Sequence, residues 1–171
     1  ERGLSFEKGE SKFDLKKSID IVKNVFNTID PKFEGILHKF LDGNIDSESK
    51  KGKSGGAYCI NVAKSLPTFI LLNHHDKLHD LLTIAHEAGH GINSEMMKET
   101  QNALYFSTPP ATAEIASTFF EDMVVDNLIE NSKGVKKLNI LLKKIDMDVS
   151  SIFRQVAFFN FEREVHALFK L

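Results

Sequence analysis

Two histidines four residues apart, in the pentad His86-Glu87-Ala88-Gly89-His90, constrain the fold of this chain more than any other feature. On a helix they can serve one metal ion. At about 100° per residue they then lie about 40° apart, one turn above the other. Two imidazoles so placed can ligate one tetrahedral zinc ion. Glu87 projects about 60° beyond His90, close enough to hold a water beside the metal without entering its coordination shell. Two nitrogen ligands, a carboxylate base and an open metal position are what metal-assisted hydrolysis requires.

An ordinary helix with two half-buried histidines would read the same over five residues, so the flanking sequence decides. The segment from Asp76 to Ala85 predicts an amphipathic helix with Asp76 as its cap. Leu78, Leu81, Leu82, Ala85, Ala88 and Ile92 form one apolar stripe bordering the His86/His90 line. The stripe packs inward and leaves the histidines at the edge of a cleft.

A third protein ligand should follow. Ser107-Thr-Pro-Pro110 caps and starts a new helix, and Glu114 lies near its beginning, 24 residues beyond His90. That is enough chain to bring the second helix back beside the first. Glu114 would complete a His2Glu site with water as the fourth ligand, one zinc per chain. Glu121, seven residues on, falls within about 20° of Glu114. It is placed to accept the remaining ring N–H of a ligand histidine and fix its tautomer. A solvated surface carboxylate is the plainer alternative for Glu121.

Thr83-Ile-Ala-His-Glu-Ala-Gly-His90 followed by Ala113-Glu-Ile-Ala-Ser-Thr-Phe119 resembles the oligoendopeptidase F and thimet oligopeptidase family of zinc peptidases, and most of all its bacterial oligoendopeptidase F branch. Gly52-Lys-Ser-Gly-Gly-Ala-Tyr58 and Pro67-Thr-Phe-Ile-Leu-Leu-Asn73 are similar to the glycine-rich turn and strand before that family's zinc helix. Phe153-Arg-Gln155 and Phe161-Glu-Arg-Glu-Val-His166 match its downstream pattern. The resemblance runs from about residue 13 to the end. It implies that His86, His90 and Glu114 hold zinc, that Glu87 is the catalytic base, and that the substrates are short peptides admitted to an enclosed channel.

Two departures stand out. The family usually carries a histidine three residues after the pentad, where this chain has Asn93. Asn93 points within about 20° of His86, so a hydrogen bond behind the ligands is still available to it. Family members also have a large amino-terminal helical region and a carboxy-terminal region supplying His and Tyr groups for substrate and oxyanion. This chain begins with Glu1 rather than Met and has no counterpart of either. The expectation is a single fragment, residues 1–171, of a zinc metallopeptidase catalytic domain that cleaves peptides slowly by itself.

Composition sets the outer bounds. With 171 residues and 42% hydrophobic content there is one domain's worth of globular chain. A net charge of −2 gives no electrostatic case for nucleic acid or a membrane surface, and no apolar run approaches the length of a membrane span. The single cysteine, Cys59, cannot form an internal disulfide and fits a cytoplasmic setting. It lies in an expected strand and reads as a small buried residue rather than a nucleophile.

Periodicity and punctuation predict a mainly α, zincin-like helical core with a small β-strand pair beside the zinc helix. Helices are expected over 13–28 and from Asp30-Pro31 to Asp42-Gly43. An exposed lysine-rich loop over 44–56 precedes strands at Ala57–Ala63 and Pro67–Leu72. After the zinc helix and the Glu114 helix come a helix near 135–145 and a last one from about Ser150. The strand region is expected to bind an extended peptide through Gly55, Gly56, Ala57 and Tyr58, because glycines permit close backbone approach.

Other features carry less. Gly52-Lys53-Ser54 lacks the first glycine of a phosphate-binding loop, since Ser47 stands there. His74, His75 and His79 read as exposed residues at a helix start rather than as a second metal site. Phe153, Phe158, Phe159, Phe161 and Phe169 read as core packing. His38 and His166 read as core-edge or surface residues. Two rival functions remain: a zinc hydrolase of another amide or ester, and a non-catalytic zinc-binding fragment.

Overall fold

The computed structural model describes residues 12–169. The described residues up to Asn127 form one compact unit, and those from Leu128 onward form a second.

In the first unit, Asp14 caps helix α1 (Leu15–Ile29) by accepting from the Lys17 N–H at 2.9 Å. Asp30 caps α2 (Pro31–Leu41) in the same way, with Pro31 at the first helical position. The two helices bury Val22, Val25, Phe26, Ile36, Leu37 and Phe40.

The expected strand pair is a three-stranded sheet. A two-residue strand, β1 (Ile45–Asp46), pairs parallel with β3 (Phe69–Leu71), and β2 (Tyr58–Ile60) pairs antiparallel on the other side, giving the order β1-β3-β2. β1 lies inside the stretch expected to be all loop; two residues are too few to show alternation. That loop is also less solvated than its lysines imply. The Lys53 side chain is only 7% exposed, and its ammonium donates to the carbonyls of Asp46, Glu48 and Leu72. In β2, Tyr58 and Ile60 face outward and Cys59 faces the helix beneath.

That helix is α3 (Leu78–Thr100), which buries Leu81, Leu82, Ile84, Ala85, Ala88 and Ile92 at 2% exposure or less. Its cap differs from expectation. Asp76 precedes the helix at φ 61°, and the Asp80 carboxylate accepts from the His75 and Lys77 N–H groups instead. His74 is not an exposed helix-start residue: its side chain is 5% exposed and its Nε2 donates to the Phe13 carbonyl, whereas His75 and His79 are exposed.

A short 3-10 turn (Ala103–Tyr105) leads to α4 (Pro110–Glu130). Phe120 of α4 packs on Phe26 and Phe33, with ring centroids 4.6 and 5.1 Å apart, which seats α4 against α1 and α2. Two glycines on either side of His90 let α3 lie close to its neighbours. A Cβ on Gly91 would meet the Phe40 ring at 2.6 Å, and one on Gly89 would meet the backbone of α4 at 2.7 Å.

In the second unit, α5 (Gly134–Val149), a π-helical turn (Ser150–Arg154) and α6 (Gln155–Leu168) follow without a break. Val149, Ser150, Arg154 and Gln155 all keep right-handed helical dihedrals, so the two expected helices are one continuous rod. Phe153, Phe158, Phe159, Phe161 and Phe169 are each more than half exposed, which corrects their reading as core. Apolar residues at helical spacing show which side chains seek cover, not where the cover is. His38 and His166 are exposed. No helix among the described residues is long and apolar enough to cross a membrane.

Candidate metal centre

The pentad occupies the middle of α3, where the apolar stripe turns into the core and its border faces α4. His86 and His90 stand one turn apart, rings 5.0 Å between centroids and nearly perpendicular at 81°. α4 supplies Glu114 one turn from its start. The Glu114 Oε2 lies 3.2 Å from His86 Nε2 and 3.6 Å from His90 Nε2. Ligand atoms at about 2.0–2.1 Å from a tetrahedral zinc stand about 3.3 Å apart, so the donor set fits that ion. Among the described residues these three form the one grouping of metal-capable side chains whose ligand atoms fall together; His74, His75 and His79 do not.

Each donor is oriented from behind. His86 Nδ1 donates to Glu121 Oε2 at 2.9 Å, leaving the Nε2 lone pair directed at Glu114. The Ala113 carbonyl accepts from the His90 ring. Ser117, fully buried in α4, donates its hydroxyl to Glu114 Oε2 at 3.0 Å.

Burial pulls the His86 imidazole down. Its hydrogen bond to Glu121 and the charges of Glu121, Glu87 and Glu114 outweigh that, leaving it above its ordinary value. His90 is buried too, and the pull of Glu114 does not offset this, so it sits below its ordinary value. Glu87 is 8% exposed, and burial raises its carboxyl despite the opposing influence of His86 and of the Cys59 backbone N–H. A carboxyl poised above its usual range is suited to taking and returning a proton. Cys59, on the face of β2 turned toward α3, is pushed up to about 12 chiefly by burial, and then by Glu87 and Glu95. A thiol in that state is a poor nucleophile.

The centre opens into a cleft of about 570 Å³, walled by Ala57, Tyr58 and Cys59 on one side and Phe106, Ser107 and Thr108 on the other. Of the residues expected to meet substrate, Ala57 and Tyr58 line this cleft. Gly55 and Gly56 line a neighbouring one, which shares Ala57. Asn93 faces the main cleft, but its amide donates to Thr108 and Met97 rather than to a metal-site side chain. Sequence reasoning missed Ser117, the Ala113 carbonyl and the Cys59 N–H. The two main-chain groups leave no trace in side-chain type, and Ser117 was visible only as a small residue one turn after Glu114.

The chain belongs to peptidase family M3, whose model matches residues 12–171. It is 32% identical over 157 residues to the plasmid oligoendopeptidase F of Lactococcus lactis subsp. cremoris, covering 91% of this chain and 26% of that protein. It is 34% identical over 153 residues to the group B oligopeptidase PepB of Streptococcus agalactiae, covering 89% of this chain and 25% of that protein. A crystal structure from Chlamydophila abortus, assigned as a peptidase, superposes with a TM-score of 0.83 at 29% identity, over 93% of this chain and 27% of that one. The chain thus spans about a quarter of the length of the curated relatives it matches.

Proposed function

We propose that this chain carries the reactive centre of a zinc-dependent endopeptidase that hydrolyses internal bonds of oligopeptides, as part of the catalytic domain of a longer protein. The observation that carries the reading is the convergence of His86, His90 and Glu114 in one cleft with the buried carboxylate of Glu87 beside them. Membership of peptidase family M3 and relatives named oligoendopeptidase and oligopeptidase support the substrate class.

His86, His90 and Glu114 would hold the ion, and Glu121 would keep the His86 ring in the tautomer that presents Nε2. Zinc bound there supplies Lewis acidity, polarising the scissile carbonyl and lowering the pKa of water toward about 7. Glu87 takes a proton from the attacking water and delivers it to the departing amine nitrogen, the work of a general base and then a general acid. The Cys59 N–H donates to the Glu87 carboxylate and helps to hold it beside the cleft. β2 is an edge strand, so its backbone beside Ala57 and Tyr58 can pair with an extended peptide. Gly55 and Gly56 would carry the same peptide into the adjoining cleft, and Asn93 would hold the opposite wall through Thr108. The single cysteine of this chain is compatible with the cytoplasmic setting we propose.

The test is Glu87→Gln in the longer protein, assayed on internally quenched peptides with zinc content measured in parallel. Hydrolysis should fall by about 10²–10⁴-fold with zinc retained. Near-full activity would remove the pentad from the reaction. Cleavage of amide or ester substrates but of no peptide would move the chain to another class of hydrolase.

A further inference from the structure

We infer that Ser117 is a positioning residue for the metal centre, holding the Glu114 carboxylate in place for zinc. The inference rests on the zinc reading above and adds to it a residue outside the pentad and its glutamates.

Glu114 is poorly held for a ligand. Its side chain is 62% exposed, on the rim of the cleft, and a glutamate there loses rotamer freedom whenever it engages an ion. Apart from the two imidazoles, its carboxylate has one anchor among the described contacts, the Ser117 hydroxyl. Ser117 lies within 3.5 Å of two acceptors, the Glu114 carboxylate at 3.0 Å and the Glu114 carbonyl at 3.1 Å, and it has one proton to give. The Thr118 hydroxyl already donates to that carbonyl. The Ser117 proton is therefore available to the carboxylate.

The anchor itself cannot shift. Ser117 has no solvent exposure, and its Cα lies where α4 presses against Gly89 of α3, within 2.7 Å of the point a Cβ there would occupy. The same contact fixes Ser117 relative to His86 and His90, which flank Gly89 on α3. A flexible rim carboxylate is thus tethered to a rigid point set by the helix that bears the other two ligands. Groups that orient a ligand from behind change metal affinity by about 10–100-fold when removed.

The experiment compares zinc affinity, by competition with a chromophoric chelator, in the longer protein that carries this chain, for the wild type, Ser117→Ala, Glu114→Ala and the double variant, with the melting temperature of each metal-free protein. Ser117→Ala should bind zinc about 10–100-fold more weakly with its metal-free melting temperature unchanged. In the Glu114→Ala background the same substitution should have no further effect, because no carboxylate remains to be held. Ser117→Cys, close in size but a weak donor, should behave like Ser117→Ala. Unchanged zinc affinity in Ser117→Ala would overturn the inference. So would an equal loss in the Glu114→Ala background, or a fall in melting temperature that accounts for the loss, since either marks a packing role. A wild-type longer protein that binds no zinc overturns the functional reading itself, and this inference with it; tight wild-type binding that Ser117→Ala leaves intact overturns this inference alone.

Discussion

The backbone of Ser117 and the α-carbon of Gly89 meet so closely that a single methyl group has no room between them: its carbon would lie 2.7 Å from Ser117 Cα and 2.9 Å from the Ala116 carbonyl oxygen. Both obstacles are main-chain atoms, so no side chain can swing aside. Gly89→Ala should therefore part α3 from α4, and the strain of about 1–3 kcal/mol should exceed the gain of about 1 kcal/mol in helix propensity. Glu114 and Glu121 would move off His86 together. Denaturant unfolding should register the first effect and zinc competition the second; an alanine variant as stable and as zinc-avid as the wild type would refute both.

Glu121→Ala should weaken zinc binding by about 10–100-fold while leaving His86, His90 and Glu114, the proposed ligands, in the chain. Without the 2.9 Å bond from Nδ1, the His86 ring is free to turn and to carry its proton on either nitrogen. Isotope-edited NMR of the imidazole would show mixed tautomers in the variant. A single Nε2-bare tautomer persisting there would show that Glu121 is not what sets it.

Cys59 should alkylate very slowly in the folded chain. With its thiol raised to about 12 from 9.0, the thiolate fraction at pH 8 is about 10³-fold lower than in the unfolded chain. The sign for stability follows. A thiol kept neutral by folding contributes fully below the unfolded value of 9.0, and that contribution disappears as pH rises from there toward about 12. Iodoacetamide trapping with and without denaturant measures the difference; equal rates would place Cys59 outside the buried face of β2.

Lys53→Met should loosen the segment between β1 and β2. Three carbonyls, those of Asp46, Glu48 and Leu72, lose a shared donor, at a cost of about 1–3 kcal/mol. Asp46 adds a pH dependence. The hydrogen bond from Lys53 holds its carboxyl below the ordinary value of 3.8, so its stabilisation is present above that value and lost as pH falls beneath it. The stability gap between wild type and variant should thus narrow on acidification from pH 5 toward pH 2. A gap that stays constant would exclude Asp46 from the effect.

The parts of this centre that were legible in the sequence share one property: helical periodicity transmits them over short distances. His86 to His90 and Glu114 to Glu121 are fixed by counting residues along a helix, and the structure brings all four side chains to one place. The burial of Leu81, Leu82, Ala85, Ala88 and Ile92 follows from the same counting. What was not legible depends on main-chain groups or on meetings between distant segments. β1 is too short to alternate, the Cys59 N–H has no side-chain signature, and Lys53 looks like any loop lysine until three carbonyls surround it. The five phenylalanines near the chain's end show the limit from the other side, because hydrophobicity signals a need for cover without saying what meets it.

His86 faces residues of one helix at both ring nitrogens: Glu121 accepts from Nδ1, and the Glu114 carboxylate lies 3.2 Å from Nε2. Seven residues of α4 rise about 10 Å, so the two glutamates lean toward each other across two turns to reach a single five-membered ring. The imidazole thereby acts as a gauge block for the length of that stretch. Substitutions at the exposed positions 115, 118 and 119 leave the spacing untouched. Inserting or deleting one residue rotates one carboxylate about 100° out of line, and the ring then keeps at most one of its two partners. Between Glu114 and Glu121, exposed positions such as Ile115, Thr118 and Phe119 can change residue without changing that length, whereas a change of length cannot be absorbed.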